Sequence, residues 1–416
     1  MPNRYIVIGI VLLVLNVLAG CGRSEPTDTI ASPTNTPVSN ETPTNAPVVE
    51  TVEVSQTPAL DTPVTLTQTV VLPTPRTDCK ERYATAPAER DYWPTVEWRV
   101  SSLEEHCLDP QKVERAAWYL ENNYATRSLL IVRHGELVYE KYFRSISKPE
   151  RAVAIYSVTK SVLSALVGIA LDQGVLDSLD HTVIEYFPEY FYPQTDPRMA
   201  QVTLRDLLTM SAGFLWAENG PIEAEWLASD NWVEAAINLE FSEQPGTVFT
   251  YSSANTQLLS AILTQLTGEP LRDYAQRNLF TPLGIPDNRW HWTTDNQGYA
   301  IGGFAMHLRP RDMARFGYLY LNQGYWDGQQ IISPEWVQQS TSSQIDTGGG
   351  DDYGYLWWIH PWPDQPAFEA LGYGGQSIYV APSLDLVVVV TSEGSFGAPD
   401  PSPIIYGWIV KAVTDQ

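Results

Sequence analysis

Residues 151–174 read RAVAIYSVTKSVLSALVGIALDQG, and the reading of this stretch decides the rest. Ser157 and Lys160 are three residues apart at the start of an apolar run. On a helix of about 3.6 residues per turn that spacing puts both side chains on one face of the first turn. Val162, Leu163, Leu166, Val167, Ile169 and Ala170 supply a broad apolar face, and Gly174 is a C-terminal stop. A helix N-terminus favours developing negative charge, and a desolvated lysine can give up its proton near neutral pH. The pair is therefore a candidate nucleophile and base. The chain carries its own control: Ser145-Ile146-Ser147-Lys148 has the same spacing, but Pro149 and charged residues follow, so it reads as a loop.

Composition bounds the function. The chain has 416 residues, 44% of them hydrophobic, and a formal net charge of −24. That is enough apolar material for one large domain or two. The acidic balance speaks against a nucleic-acid footprint and against docking of a basic face on anionic lipid. Three cysteines are too few for a disulfide scaffold, and no Cys/His cluster has metal-ligand spacing.

Upstream, Arg4 precedes the apolar run Tyr5–Val17, which ends in Leu18-Ala19-Gly20-Cys21. A basic residue, an apolar core and small residues make a secretory signal. An ordinary signal peptide or an N-terminal anchor shares those features. Leu-Ala-Gly-Cys resembles the bacterial lipoprotein cleavage motif, which implies lipidation of Cys21 and a location in the bacterial cell envelope, outside the cytoplasm, with contact to the membrane only through the N-terminal lipid. Residues 22–78 are rich in Thr, Pro, Ser and Val. They lack apolar periodicity and read as a disordered tether. Cys79 and Cys107 then remain as an even pair at the start of a folded domain spanning 79–416, and a disulfide between them is expected.

Within that domain Asp109-Pro110 opens a helix, 128–143 reads as a hairpin turning at His134-Gly135, and Thr203 caps a short helix. A tryptophan-rich segment runs from Trp216 to Trp232. Pro245-Gly246 marks a turn before Tyr251, and Ser252–Asn255 opens a helix stopped at Gly268. Residues 310–322 are helical. Strands are expected over 353–360, 370–372 into 377–380, and 386–390, with a last helical stretch over 404–413. The predicted class is α+β: an antiparallel sheet built from N- and C-terminal strands, flanked by helices, with a mostly helical region inserted between them that carries the site.

Three segments together resemble the serine β-lactamase and penicillin-binding-protein superfamily, in its class C-like esterase and nylon-oligomer-hydrolase branch. They are Ser157-Val158-Thr159-Lys160, then Tyr251-Ser252-Ser253, then Gly372-Tyr373-Gly374-Gly375-Gln376, in the order the family has them. The resemblance covers roughly residues 95–416. It implies a β-lactamase-like fold and an acyl-enzyme on Ser157, with Lys160 and Tyr251 as general base and acid. It also implies an oxyanion hole from the backbone N–H groups of Ser157 and Gln376, and a mechanism for which no metal or organic cofactor is expected. Tyr251 is read as a base held toward its phenolate form by nearby cationic or donor groups.

Two departures shape the substrate. Ser253 stands where the family has Asn, with Asn255 as a partial substitute off to one side. Tyr373 stands where penicillin-recognising members have Lys, so a substrate carboxylate would find a hydroxyl and a ring in place of a charge. With Gly374 and Gly375 letting the backbone approach and Trp216 either walling the pocket or lying in the core, the expected substrate is a neutral ester or small amide. The alternatives are a DD-carboxypeptidase or D-amino-acid peptidase of cell-wall type, and a non-catalytic binding lipoprotein on the same fold.

Overall fold

The computed structural model describes residues 89–143, 148–394 and 399–414. The expected signal peptide with Cys21, the tether, Cys79 and Ser145 lie outside them. Cys107 is disulfide-bonded.

Helix α1 (Pro110–Asn123) starts at Asp109, whose carboxylate accepts from the N–H groups of Gln111 and Lys112, with Pro110 in the first turn. The expected hairpin follows as β1 (Thr126–Arg133) and β2 (Glu136–Tyr142). The C-terminal part supplies β3 (Ile345–Asp346), β4 (Asp352–Tyr353), β5 (Trp358–His360), β6 (Ala367–Gly372), β7 (Gln376–Ala381) and β8 (Leu386–Ser392). All belong to one eight-stranded sheet in the order β2-β1-β8-β7-β6-β5-β4-β3. The two ends of the domain meet where β1 pairs antiparallel with β8, Leu130 opposite Val389 and Val132 opposite Val387.

All seven residues of β8, LVVVVTS, are buried, because both faces of the sheet are covered. Leu130, Val132, Ile378, Val380, Val387 and Val389 join the larger core with the inserted helices. Alternate residues Leu129, Ile131, Tyr379, Val388 and Val390 pack with α1 and the C-terminal turns around Ile405 and Ile409. A β-branched run suits such a central strand.

The inserted region contributes α2 (Val158–Asp172), α3 (Leu204–Leu208), α4 (Pro221–Leu227), α5 (Trp232–Ile237) and α6 (Ser253–Thr267), followed by α7 (Pro310–Leu321). Gly268 ends α6 in the left-handed conformation, as its lack of a side chain allows. A small sheet not anticipated from sequence, Val153–Ala154 with Met306–Leu308 and His291–Trp292, holds the chain just before α2.

Two expectations are corrected. The single strand over 353–360 is two, β4 and β5, separated by a loop in which Leu356 has φ of 64°. That loop is tied inward, its N–H donating to Leu208 O at 3.1 Å and its carbonyl accepting from Ser161 Oγ at 2.7 Å. The last helical stretch is a series of short turns over Ser402–Ala412 that includes wide and tight helical geometry.

Candidate active site

Ser157 sits at the N-cap of α2. An N-cap serine ordinarily accepts from a first-turn N–H; this one makes no such bond. Its hydroxyl is left for other partners. The preceding Tyr156 has φ of 47°, a left-handed conformation costly for a bulky residue. The turn is held by Thr159 N–H to Tyr156 O and Lys160 N–H to Ser157 O, both 3.0 Å. The Tyr156 ring meets the Tyr373 ring edge-on at 5.6 Å. This sharp bend presents Ser157, half-buried, at the helix start.

Lys160 is 1% exposed. Its Nζ donates to Gly303 O at 2.8 Å, Ser253 Oγ at 3.1 Å and Ser157 Oγ at 3.3 Å. It lies 4.8 Å from the centre of the Tyr251 ring. Burial lowers the lysine from its ordinary range, while the charges of Glu218 and Glu223 oppose that shift. Tyr251 moves the other way. Burial and then the charge of Glu218 raise it above the ordinary phenol range, against a lowering hydrogen bond with Ser157. The expected phenolate is therefore corrected: the lysine sits over the ring face, and burial and the charge of Glu218 both favour the neutral phenol. Tyr353 and Trp358 flank the ring, at 6.2 Å and 5.8 Å.

The third segment forms the turn between β6 and β7. Gly374 and Gly375 have φ of 75° and 89°, conformations that favour glycine. Gly372 lies so close to Ile155 O that a Cβ there would collide with it. The turn is thereby set against the chain just before Ser157. Gln376 directs its side chain to β8, donating to Ser392 O and accepting from Ser392 N–H, both at 3.1 Å. Tyr373 is 37% exposed.

The remaining expected residues divide. Ser253 is drawn into the lysine's contacts. Asn255 is not: its amide is buried with no hydrogen-bond partner on either atom, so it does not take the place of the family's Asn. Trp216 is core, not a free wall. It is 8% exposed, packs edge-on against Trp226 at 5.6 Å, and donates its indole N–H to Glu218 at 2.8 Å.

The sequence reading missed Glu218, Glu223 and Gly303. Glu218 accepts from Ser253 Oγ, and from Ser253 N–H at 3.1 Å. Glu223 accepts from Asn219 N–H; burial pushes it up to about 7, with a further rise from Glu218. Both acids lie in the tryptophan-rich segment, where no spacing marks them. Gly303 lies ahead of the helix expected over 310–322, in a stretch that carries no assigned role.

A family model described as Beta-lactamase matches residues 110–407. The 6-aminohexanoate-dimer hydrolase of Paenarthrobacter ureafaciens is 27% identical over 301 residues, 66% of this chain and 74% of that protein. A putative penicillin-binding protein of Bacillus subtilis is 26% identical over 278 residues, covering 62% and 68% of the two chains. The solved structure of a putative 6-aminohexanoate-dimer hydrolase from Bacillus anthracis matches with a TM-score of 0.65 at 22% identity, over 79% of this chain and 88% of that one; at that identity the likeness speaks for the fold.

Proposed function

The chain belongs to the beta-lactamase family, and from that premise we propose that it is a serine hydrolase of neutral esters or small amides. The observation that carries the reading is the pairing of an uncapped Ser157 hydroxyl with a buried Lys160 that has only neutral groups in direct contact. Such a lysine is disposed to be an uncharged amine, and an amine can accept a proton.

The steps follow from the positions. Ser157 Oγ attacks the substrate carbonyl carbon and its proton passes to Lys160 Nζ. The carbonyl oxygen takes the negative charge and is met by the N–H groups of Ser157 and Gln376. Collapse breaks the bond to the leaving group, which takes a proton from Tyr251 Oη–H, the phenol being restored from protonated Lys160 by way of the incoming water. Water repeats the sequence on the acyl-enzyme and frees Ser157.

Tyr373 in place of a cationic residue favours a neutral substrate. The relative named for a 6-aminohexanoate dimer supports a linear amide as one member of the class. The relative named as a putative penicillin-binding protein supports a cell-wall peptide as the second reading. We further assign the protein to the cell envelope, outside the cytoplasm, held by lipid on Cys21 through the 22–78 tether.

The test is mass spectrometry of the full chain after a fluorophosphonate probe. One adduct is expected, absent in Ser157→Ala and retained in Ser145→Ala; loss in Ser145→Ala would mean the wrong Ser-x-x-Lys was chosen. p-Nitrophenyl esters, D-Ala-D-Ala peptides and nitrocefin then separate esterase from cell-wall chemistry. A mature N-terminus other than acylated Cys21 removes the anchoring.

A further inference from the structure

Three oxygens receive the Lys160 hydrogens: Gly303 O, Ser253 Oγ and Ser157 Oγ. A carbonyl can only accept. A serine hydroxyl can accept or donate, so its behaviour depends on where its own proton is engaged. The Ser253 proton is engaged, because Ser253 Oγ–H donates to Glu218 Oε1. That carboxylate is itself fixed through Oε2, which accepts from Ser253 N–H at 3.1 Å and from the buried indole of Trp216 at 2.8 Å. Ser253 is fully buried, so water has no access with which to exchange these bonds. The hydroxyl therefore offers Lys160 a lone pair and nothing else.

This matters for a neutral amine, which has two hydrogens and one lone pair. Gly303 O and Ser253 Oγ take the two hydrogens. The lone pair is left for the third neighbour, Ser157 Oγ, whose proton it must accept. If the Ser253 hydroxyl were free to turn, it could donate to the amine instead. A second arrangement would then compete, with an N–H directed at Ser157 and the lone pair spent on Ser253. That arrangement cannot take the serine's proton.

The geometry points to Glu218 as a positioning residue that, through Ser253, aims the lone pair of Lys160 at Ser157. The inference rests on the hydrolase reading above. It gives a physical account of the serine that stands where the family has Asn: a serine alone would leave the lysine's direction open, and serine with a carboxylate behind it does not. The titratable groups acting on Lys160 are Glu218 and Glu223, with the Tyr251 ring on its face. Removing one acid's charge should lower the lysine further, since both acids raise it.

The test uses the full chain in detergent, a p-nitrophenyl ester, and the variants Glu218→Gln, Ser253→Ala and the double variant. Glu218→Gln keeps the size but offers Ser253 an amide N–H, freeing the hydroxyl to turn. The expected result is a kcat about tenfold or more lower with KM within about twofold. The acid limb of kcat/KM moves to lower pH. In the Ser253→Ala background the same change costs less than about twofold, because no hydroxyl is left to misdirect the amine. Losses that multiply, an unmoved acid limb, or wild-type kcat in Glu218→Gln would each overturn the inference. If Glu218→Gln does not fold, Trp216→Phe, which removes one donor fixing the carboxylate, replaces it with the same contrast between the two backgrounds. A parent protein that takes up no probe at Ser157 removes the hydrolase reading and this inference with it. An active parent with multiplying losses removes this inference alone.

Discussion

Two buried nitrogens of this molecule sit in polar clusters of similar burial, and their surroundings shift them in opposite directions. Lys160, 1% exposed, touches two hydroxyls and a carbonyl, and the carboxylate of Glu218 stands behind Ser253. His360, 2% exposed, is held directly by Asp351 at 2.9 Å and Glu369 at 2.8 Å. Glu369 also accepts from Ser377 Oγ, and from Ser402 Oγ at 2.6 Å, which ties β5, β6, β7 and the C-terminal turns together. Burial acts against the charged form of both. For the lysine it wins. For the histidine the two direct carboxylate bonds outweigh it and raise the ring to about 10. The lesson is one of distance: a carboxylate moved back by one hydroxyl no longer offsets the effect of burial.

The largest effects should come from breaking the lysine's half of this comparison. Lys160→Ala and Tyr251→Phe should each lower kcat by about a hundredfold or more, with the circular-dichroism spectrum retained. Lys160→Arg keeps the charge but cannot release its proton. It should lose as much activity as the alanine variant if the neutral amine is what matters; substantial turnover by the arginine variant would refute that account.

An intermediate effect belongs to the histidine's half. Glu369→Gln removes one of the two charges on a buried ion and should destabilise the fold by about 3 kcal/mol, read by urea denaturation. KM should be unchanged, because the partners of Glu369 are His360, Ser377 and Ser402 of the C-terminal turns, none of which touches Ser157 or Lys160. If Glu369→Gln abolished turnover while leaving stability alone, the division between anchor and site would be wrong.

Much of this could be read from the chain. The Ser157–Lys160 spacing needs only helix geometry. The hairpin at His134-Gly135, the cap at Asp109 and the stop at Gly268 are local chemistry. The central strand β8 shows itself as an unbroken apolar run. The rest depends on contacts between distant segments. Glu218 reaches Ser253 from 35 residues away on a loop with no period, so nothing nearby in sequence marks it. Trp216 reads equally well as wall or core until its burial is known. Neighbouring donors in the sequence favour a Tyr251 phenolate, but burial and the distant Glu218 act in the opposite direction. Asn255 lay near the site in sequence, yet its position along α6 turns it into the interior.

The smallest effect is the most direct comparison, because both groups enter one measurement with opposite signs. His360 has a folded pKa raised from 6.5 to about 10. Between those values the native state holds a proton the unfolded chain has lost. The stabilisation is complete below about pH 6.5 and disappears as pH rises through about 10. Lys160 has a lowered folded pKa, so over the alkaline range up to its ordinary value the unfolded chain holds the extra proton, and stability rises with pH. Wild type should therefore show a partly compensated alkaline decline in Tm. In Lys160→Met the compensation is gone and the decline between pH 7 and 10 should steepen. In His360→Gln the decline should flatten or reverse, at a lower Tm overall. Parallel Tm–pH curves for the three proteins would mean that neither group titrates as its partners dictate, and the contrast between direct and hydroxyl-separated carboxylates would fall with them.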